Sequence, residues 1–191
     1  KMDLIESHQH WQAARHAELS APDSWLGLIG LFWLEPGMNS VGSAEGSTVL
    51  LPAGAPHLGD LRWQGDKLFW LPAEGAEIEL QTDLNGQATT VDYKNWSFFV
   101  VDRNSRLAVR LRDREWAQKK PFNGLTYFAY DPAWCIEAEW QSLTPPVAME
   151  VPNVTGELKT VLVDHRAVLE VDGQKVELLP ISVSDSEIFF V

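Results

Sequence analysis

A regular series of short β-type runs after residue 34 constrains this fold more than any other feature of the sequence. Pairs of turn residues separate these runs, at Gly65-Asp66, Asn85-Gly86 and Asp172-Gly173. A β-hairpin is predicted at each pair, and two of them, the Asn-Gly and Asp-Gly pairs, tolerate the positive φ angles that two-residue hairpin turns require. A fourth hairpin is predicted from the apolar runs 98–101 and 107–111. The same texture predicts further strands at 122–130 and 135–141.

Helical spacing occurs only at the N-terminus. In residues 1–20, apolar and amphipathic side chains recur every three or four positions among alanines, which predicts a helix. Residues 25–34 form a continuous apolar run that fits either a short buried helix or a buried strand. With no helices between the later strands, we predict a mainly β fold, an antiparallel sandwich or partly open barrel preceded by the N-terminal helix.

A length of 191 residues fits one domain, with the β-rich body at 25–191. Three prolines in 144–152 suggest a loop that crosses between sheets. The chain stops in the apolar run Ile188-Phe189-Phe190-Val191, and native domains rarely end that way. We therefore expect the natural protein to continue past Val191.

The net charge of the chain limits the classes of partner that it is expected to bind. Twenty-seven acidic against fifteen basic residues give a net charge of −12, which repels phosphate backbones and anionic lipid headgroups. We therefore expect neither nucleic acid nor a membrane surface as a partner. No apolar stretch reaches the roughly 18 residues of a membrane span. The start Lys1-Met2-Asp3 lacks a signal-peptide pattern, so a cytoplasmic location is expected.

Metal and disulfide chemistry have little support in the sequence. Cys135 is the single cysteine, which excludes an intramolecular disulfide, and its apolar surroundings predict a buried, inert thiol. The five histidines are scattered, so no metal site and no cofactor are expected. Asp164 and His165 could form a base with its orienting acid, but adjacent residues on a strand point to opposite faces.

The most unusual local feature is a basic strand in this acidic chain. Five of the eight arginines fall within residues 103–114. Strand alternation puts Leu107, Val109 and Leu111 on one side and Arg106, Arg110, Arg112 and Arg114 on the other. A row of guanidinium groups could hold a small anion. The alternative is a solvated face whose arginines pair with acids on neighbouring strands.

Nine tryptophans are several times the usual share for a chain of this length. Most lie in apolar runs, which favours core filling over an exposed platform for flat ligands. Trp116, between Glu115 and Ala117 and next to the arginine run, is the best candidate for an exposed ring.

Several motifs in this chain match those of a known family. They are Trp25-Leu26 with Gly30-Leu31-Phe32-Trp33-Leu34, Pro36-Gly37-x-Asn39, Val41-Gly42, Phe99-Val100-x-x-Arg103-x-x-Arg106 with Arg110 and Asp113, and Phe122-x-Gly124. On these residues the chain resembles a widespread, largely bacterial family, domain of unknown function 1684. Members look longer and usually carry Asp-Phe-Asn and Pro-Cys-Ala motifs in their last third. Both motifs are absent here, which implies that the C-terminal third is missing.

The resemblance implies no settled activity, but it implies the same arginines as candidates. Arg103, Arg106 and Arg110 would hold an anionic group, with Asp113 as their salt-bridge partner and Trp116 or Phe122 covering the ligand. The first hypothesis is therefore a β-domain that binds or processes a small anionic molecule. The alternative is a structural or protein-interaction module whose apolar C-terminal strand recruits a partner or a second copy. A third, weaker hypothesis is a hydrolase or isomerase with His165 or Asp113 as general base.

Overall fold

The structure is a computed structural model that describes residues 3–152 and 158–190. The chain divides into two compact units, Lys1–Tyr127 and Phe128–Val191. The expectation of one domain stays a prediction, because this division does not test whether either unit folds alone. No helix in the described ranges is long and apolar enough to cross a membrane.

The predicted N-terminal helix is confirmed. Helix α1 spans Leu4–Ser20, and the Asp3 side chain caps its first turn by accepting a hydrogen bond from the Ile5 amide. Leu19 is its one buried residue among those described. The ambiguous run 25–34 resolves into a 3₁₀ turn at Trp25–Gly27 followed by a strand.

From residue 3 onward, where the structure describes it, the first unit contains nine strands in two sheets. They are β1 (Leu28–Trp33), β2 (Gly37–Gly42), β3 (Val49–Leu50), β4 (Gly59–Gln64), β5 (Lys67–Pro72), β6 (Ile78–Leu80), β7 (Val91–Tyr93), β8 (Trp96–Arg103) and β9 (Arg106–Asp113). One sheet has the order β1-β9-β8-β7 and the other β3-β2-β4-β5-β6. Every neighbouring pair is antiparallel except β2 and β3. A four-residue helix, α2 (Trp116–Lys119), follows β9.

Both sheets contribute to one hydrophobic core. The five-stranded sheet supplies Val41, Leu61 and Trp70, and the four-stranded sheet supplies Phe98 and Val109. All five of these side chains are buried, and Trp70 and Phe98 meet edge to face with ring centroids 5.3 Å apart. The predicted mainly β, antiparallel class is therefore confirmed, and the sheets described do not close into a barrel.

Three of the four predicted hairpins are present. β4 and β5 turn at Gly65-Asp66, and β8 and β9 turn at Asn104-Ser105, where both residues have positive φ. The prediction of a hairpin at Asn85-Gly86 was wrong, because β6 and β7 lie in different sheets. A 3₁₀ turn at Asp83–Asn85 joins them, with the Thr82 side chain accepting a hydrogen bond from the Leu84 amide.

The described residues of the second unit, 128–152 and 158–190, contain five further strands. They are β10 (Glu139–Pro152), β11 (Leu158–Val171), β12 (Gln174–Leu178), β13 (Pro180–Val183) and β14 (Ile188–Phe190). β10, β11 and β12 form one antiparallel sheet, with the predicted turn at Asp172-Gly173, and β13 pairs with β14. The predicted strand at 122–130 is absent, and residues 144–152 belong to β10 instead of a crossing loop. The predicted strand at 135–141 is realised only from Glu139 onward.

Candidate functional site

Strand β9 divides its side chains between core and surface as the alternation predicts. Leu107, Val109 and Leu111 are buried in the core. Arg106, Arg110 and Arg112 lie on the opposite face, which we call the outer face of β9. Directly opposite Arg110 lie Leu31 of β1 and Phe99 of β8, so an apolar side chain stands on each side of this arginine.

Two arginines of the predicted cluster are neutralised by acids. Nη1 of Arg103 lies 2.7 Å from Oδ2 of Asp83, whose other carboxylate oxygen accepts a hydrogen bond from the Asp102 amide at 2.9 Å. Nη1 of Arg114 lies 3.3 Å from Oδ1 of Asp92. Arg103 and Arg114 therefore follow the alternative interpretation, in which the arginines pair with acidic residues of the protein and do not bind an external anion.

The outer-face arginines are held differently. The Arg106 guanidinium carbon lies 4.2 Å from the ring centroid of Trp33, and that of Arg112 lies 5.1 Å from the centroid of Phe99. Within residues 3–152 and 158–190, Arg106, Arg110 and Arg112 form no salt bridge.

Arg112 is partly enclosed by the protein. Burial lowers the pKa of Arg112, and the charge of Asp23 partly offsets this effect. Its Nε atom is buried and has no hydrogen-bond partner in the part of the chain described. An arginine stays charged under these conditions, so Arg112 keeps a positive charge next to an unused donor.

Asp113 is not the partner of an arginine. Its Oδ1 accepts hydrogen bonds from Asn95 Nδ2 at 3.0 Å and from the Glu115 amide at 2.9 Å, and its Oδ2 pairs with the Lys119 ammonium group. Burial raises the pKa of Asp113, but the hydrogen bonds from Lys119, Glu115 and Asn95 outweigh it and hold the pKa below its ordinary value. The side chain therefore anchors the turn that follows β9, and its assignment as salt-bridge partner of the arginines was wrong.

The expectation of an exposed Trp116 was also wrong. Trp116 is 7% exposed, and its indole N–H donates a hydrogen bond to the Ala21 carbonyl at 3.1 Å. Its ring packs against Gly27, where an added Cβ would lie 2.5 Å from Trp116 Cδ1. The short helix α2 turns this side chain inward, whereas its place between Glu115 and Ala117, next to the arginine run, predicted an exposed ring.

Core filling does not account for most of the tryptophans. Of the nine, Trp70, Trp96 and Trp116 are buried, whereas Trp11, Trp25, Trp134 and Trp140 are exposed. Cys135, next to Trp134, is likewise exposed, so the prediction of a buried thiol was wrong.

A cavity of about 540 Å³ lies at one end of the first unit. Its lining residues include Trp63, Leu107 and the acidic residues Asp66, Glu79 and Asp102, and they include no lysine, no arginine and none of the five predicted site residues. An acidic lining repels anions. We therefore do not place the predicted anion site in this cavity.

His165 has the partner that strand alternation argued against. Its Nδ1 lies 3.0 Å from Oδ1 of Asp164, although the two residues are adjacent on β11. Its Nε2 lies 3.1 Å from Oγ of Ser142 on β10. No motif or spacing in the sequence marks Ser142, which lies between the predicted strand 135–141 and the predicted loop 144–152. In the described ranges, no three His, Cys, Asp or Glu side chains are placed to hold a metal ion.

Comparison with known proteins gives one match. The model of a family described as "Protein of unknown function (DUF1684)" matches residues 120–191, which is less than half of the chain. The match supports a domain of unknown function, and it lies almost wholly C-terminal to the motifs quoted above. No curated protein and no solved structure matches the chain.

Proposed function

We propose that the outer face of β9 binds a small anionic molecule through Arg106, Arg110 and Arg112. One observation carries this proposal. In a chain with 27 acidic residues, these three guanidinium groups share a strand face and have no carboxylate at salt-bridge distance in the described ranges. Guanidinium groups that form no salt bridge within the protein are available to pair with an external anion.

Stacking on aromatic rings suits these arginines to that role. A guanidinium group that lies over a ring uses its face, whereas its N–H donors point outward from its edge. Trp33 and Phe99 therefore hold Arg106 and Arg112 without occupying all of their donors. Held side chains lose less conformational entropy when a ligand binds.

The spacing on β9 indicates the size of the ligand. Arg110 and Arg112 are two residues apart on one face, which places their Cα atoms about 7 Å apart. Two long side chains at that separation can converge on one phosphate or on two carboxylates of one molecule. Leu31 and Phe99 flank Arg110 and would contact an apolar part of the ligand.

The same charges argue against larger anions. The net charge of −12 opposes the approach of a polyanion, whereas a small anion meets only the local field of three cations. We include the cytoplasmic location in this proposal, because the exposed free thiol of Cys135 suits a reducing compartment.

A thermal-shift comparison tests the proposal. Wild type is titrated with inorganic phosphate, AMP and citrate at low ionic strength, beside Arg106→Ala and Arg110→Gln. The matched control is Arg15→Gln, which removes an exposed arginine of α1 that pairs with Glu18. We expect at least one anion to raise the Tm of wild type and the control, with a smaller rise in both β9 variants. Equal shifts in all four proteins would contradict the proposal.

A second candidate function rests on exposed apolar side chains of the second unit. Leu162 of β11 is 74% exposed and Phe189 of β14 is 59% exposed. Large exposed apolar residues mark interaction surfaces when they are contiguous. In this alternative the second unit recruits a partner or a second copy. Light scattering of wild type, Leu162→Glu and Phe189→Lys tests it, and a concentration-independent monomer in all three would argue against self-association.

A further inference from the structure

A serine, a histidine and an aspartate form a continuous hydrogen-bonded chain on strands β10 and β11. Ser142 and His165 are cross-strand partners, and Ser142 Oγ lies 3.1 Å from His165 Nε2. His165 Nδ1 lies 3.0 Å from Asp164 Oδ1. Both distances fall within hydrogen-bond reach, and their order is that of a nucleophile, a base and an orienting acid.

An irregularity in the pairing of β10 with β11 allows Asp164 and His165, which are adjacent in the sequence, to form this hydrogen bond. β10 pairs regularly with β11 up to Ser142, and regular pairing resumes only at Val147, opposite Val163. Asp164 therefore lies opposite the unpaired stretch 143–146 of β10. Bulges of this kind re-aim side chains, which lets Asp164 and His165 meet although they are neighbours in the sequence.

The partners fix the protonation pattern of the imidazole ring. An ionised carboxylate can only accept hydrogen bonds, so His165 Nδ1–H donates to Asp164. In the neutral ring, Nε2 is then the acceptor, and the Ser142 hydroxyl donates to it. The hydrogen bond from His165 lowers the pKa of Asp164 below its ordinary value, which keeps the orienting group ionised.

Trp140 supports the ring of His165. The indole and imidazole centroids lie 5.3 Å apart, and their planes are within 4° of parallel. The stack fixes the orientation of the imidazole, and an indole face stabilises the cation that forms when Nε2 takes up a proton. Trp140 is 40% exposed, so it also presents apolar surface next to the serine.

We propose that Ser142, His165 and Asp164 form a nucleophilic site that hydrolyses small carboxylic esters by acyl transfer. Ser142 Oγ attacks the ester carbonyl carbon as its proton passes to His165 Nε2. The bond from that carbon to the leaving oxygen then breaks, and the leaving alcohol takes the proton from Nε2. A water molecule attacks the acyl-serine and gives a proton to Nε2. The new carboxylic acid departs as Ser142 Oγ recovers its proton.

The openness of the site defines its substrates. Ser142 is exposed, and the His165 side chain is 35% exposed. The oxyanion of the tetrahedral intermediate is therefore solvated by water, which stabilises it less than preorganised donors do. Esters with a short acyl group and an aromatic leaving group, which can lie against Trp140, suit this site best. We expect a kcat/KM below about 10⁴ M⁻¹s⁻¹, the low end for enzymes.

The experiment pairs hydrolysis of p-nitrophenyl acetate with covalent labelling by a fluorophosphonate. Wild type is compared with Ser142→Ala, His165→Asn and Asp164→Asn. Two matched controls are Ser182→Ala, an exposed serine of β13, and His10→Asn, an exposed histidine of α1. The His10 control measures the hydrolysis that any surface imidazole supports. Circular dichroism of each variant verifies the fold.

We expect a single phosphonate adduct on Ser142 of wild type, identified by peptide mass spectrometry. Ser142→Ala removes the nucleophile and His165→Asn removes the general base, so each should lower kcat/KM about 100-fold, with both controls unchanged. Absence of an adduct on Ser142 in folded wild type would overturn the proposal. So would a Ser142→Ala variant that keeps the wild-type rate.

Discussion

Replacing Asp113 separates two roles that this residue could have. The carboxylate makes three contacts, and their distribution over its two oxygens is uneven. Asn95 and the Glu115 amide both donate to Oδ1, whereas Lys119 pairs with Oδ2. Asp113→Ala removes all three contacts. Asp113→Asn keeps an acceptor at Oδ1 and removes only the pair with Lys119.

The expected magnitudes follow from this division. Each hydrogen bond to a charged group stabilises by about 1.5 kcal/mol at the low end, so the two bonds to Oδ1 account for about 3 kcal/mol. The Lys119 side chain is 57% exposed, so its ion pair contributes about 1 kcal/mol or less. For a chain of this length, the loss of about 4 kcal/mol in Asp113→Ala should lower the Tm by roughly 8 to 16 °C, and the loss of about 1 kcal/mol in Asp113→Asn should lower it by roughly 2 to 4 °C.

Urea denaturation followed by tryptophan fluorescence, together with calorimetry, measures both variants. Asp185→Ala is the matched control, because this exposed aspartate between β13 and β14 should change stability by less than about 0.5 kcal/mol. Equal destabilisation by Ala and Asn would refute the reasoning, because the charge itself would then dominate. A loss of anion binding in Asp113→Asn without a loss of stability would instead restore the role of Asp113 as an arginine partner.

Three further predictions follow from buried contacts in the first unit. Trp116→Phe should cost about 1 kcal/mol in urea unfolding, because it keeps an aromatic ring and leaves the Ala21 carbonyl without its hydrogen-bond donor. A neutral result would show that this hydrogen bond makes no net contribution to stability. Gly27→Ala should cost about 1 to 3 kcal/mol, because its methyl carbon would lie 2.5 Å from Trp116 Cδ1, and stabilisation would contradict this packing. Asp113 has a folded-state pKa below its unfolded value of about 3.9, so its contribution to stability is full above that value and is lost as pH falls through the folded pKa. Urea midpoints measured between pH 7 and pH 2.5 should therefore fall less steeply for Asp113→Asn than for wild type.

The pairing of strands can be predicted from the sequence where the conformation of the turn residues determines it. At Asp172-Gly173 both residues have positive φ, and the predicted hairpin forms. At Asn85-Gly86 the predicted hairpin does not form, because the preceding residue Asp83 forms hydrogen bonds with residues far away in the sequence. Asp83 accepts hydrogen bonds from the Asp102 amide and from Arg103, which fixes the 3₁₀ turn and sends the chain to the other sheet.

The sequence predicts which face of β9 each arginine occupies, but it does not predict which residues each arginine contacts. Alternation along β9 correctly places Arg106, Arg110 and Arg112 on one side. The residues that distinguish these arginines lie far away in the sequence, such as Trp33, which stacks on Arg106 from 73 positions upstream. The pairing of Ser142 with His165 depends on an irregular register, which a period of two cannot reveal.

The claim that β9 holds an external anion is tested most directly by observing its guanidinium groups one at a time. In a ¹⁵N NMR titration with inorganic phosphate or citrate, the Nε–Hε signals are assigned through single arginine variants. We predict saturable shifts for Arg106, Arg110 and Arg112, with Arg103 and Arg114 unmoved because acids already neutralise them. Small, unsaturated shifts of the same size for all eight arginines would contradict the account.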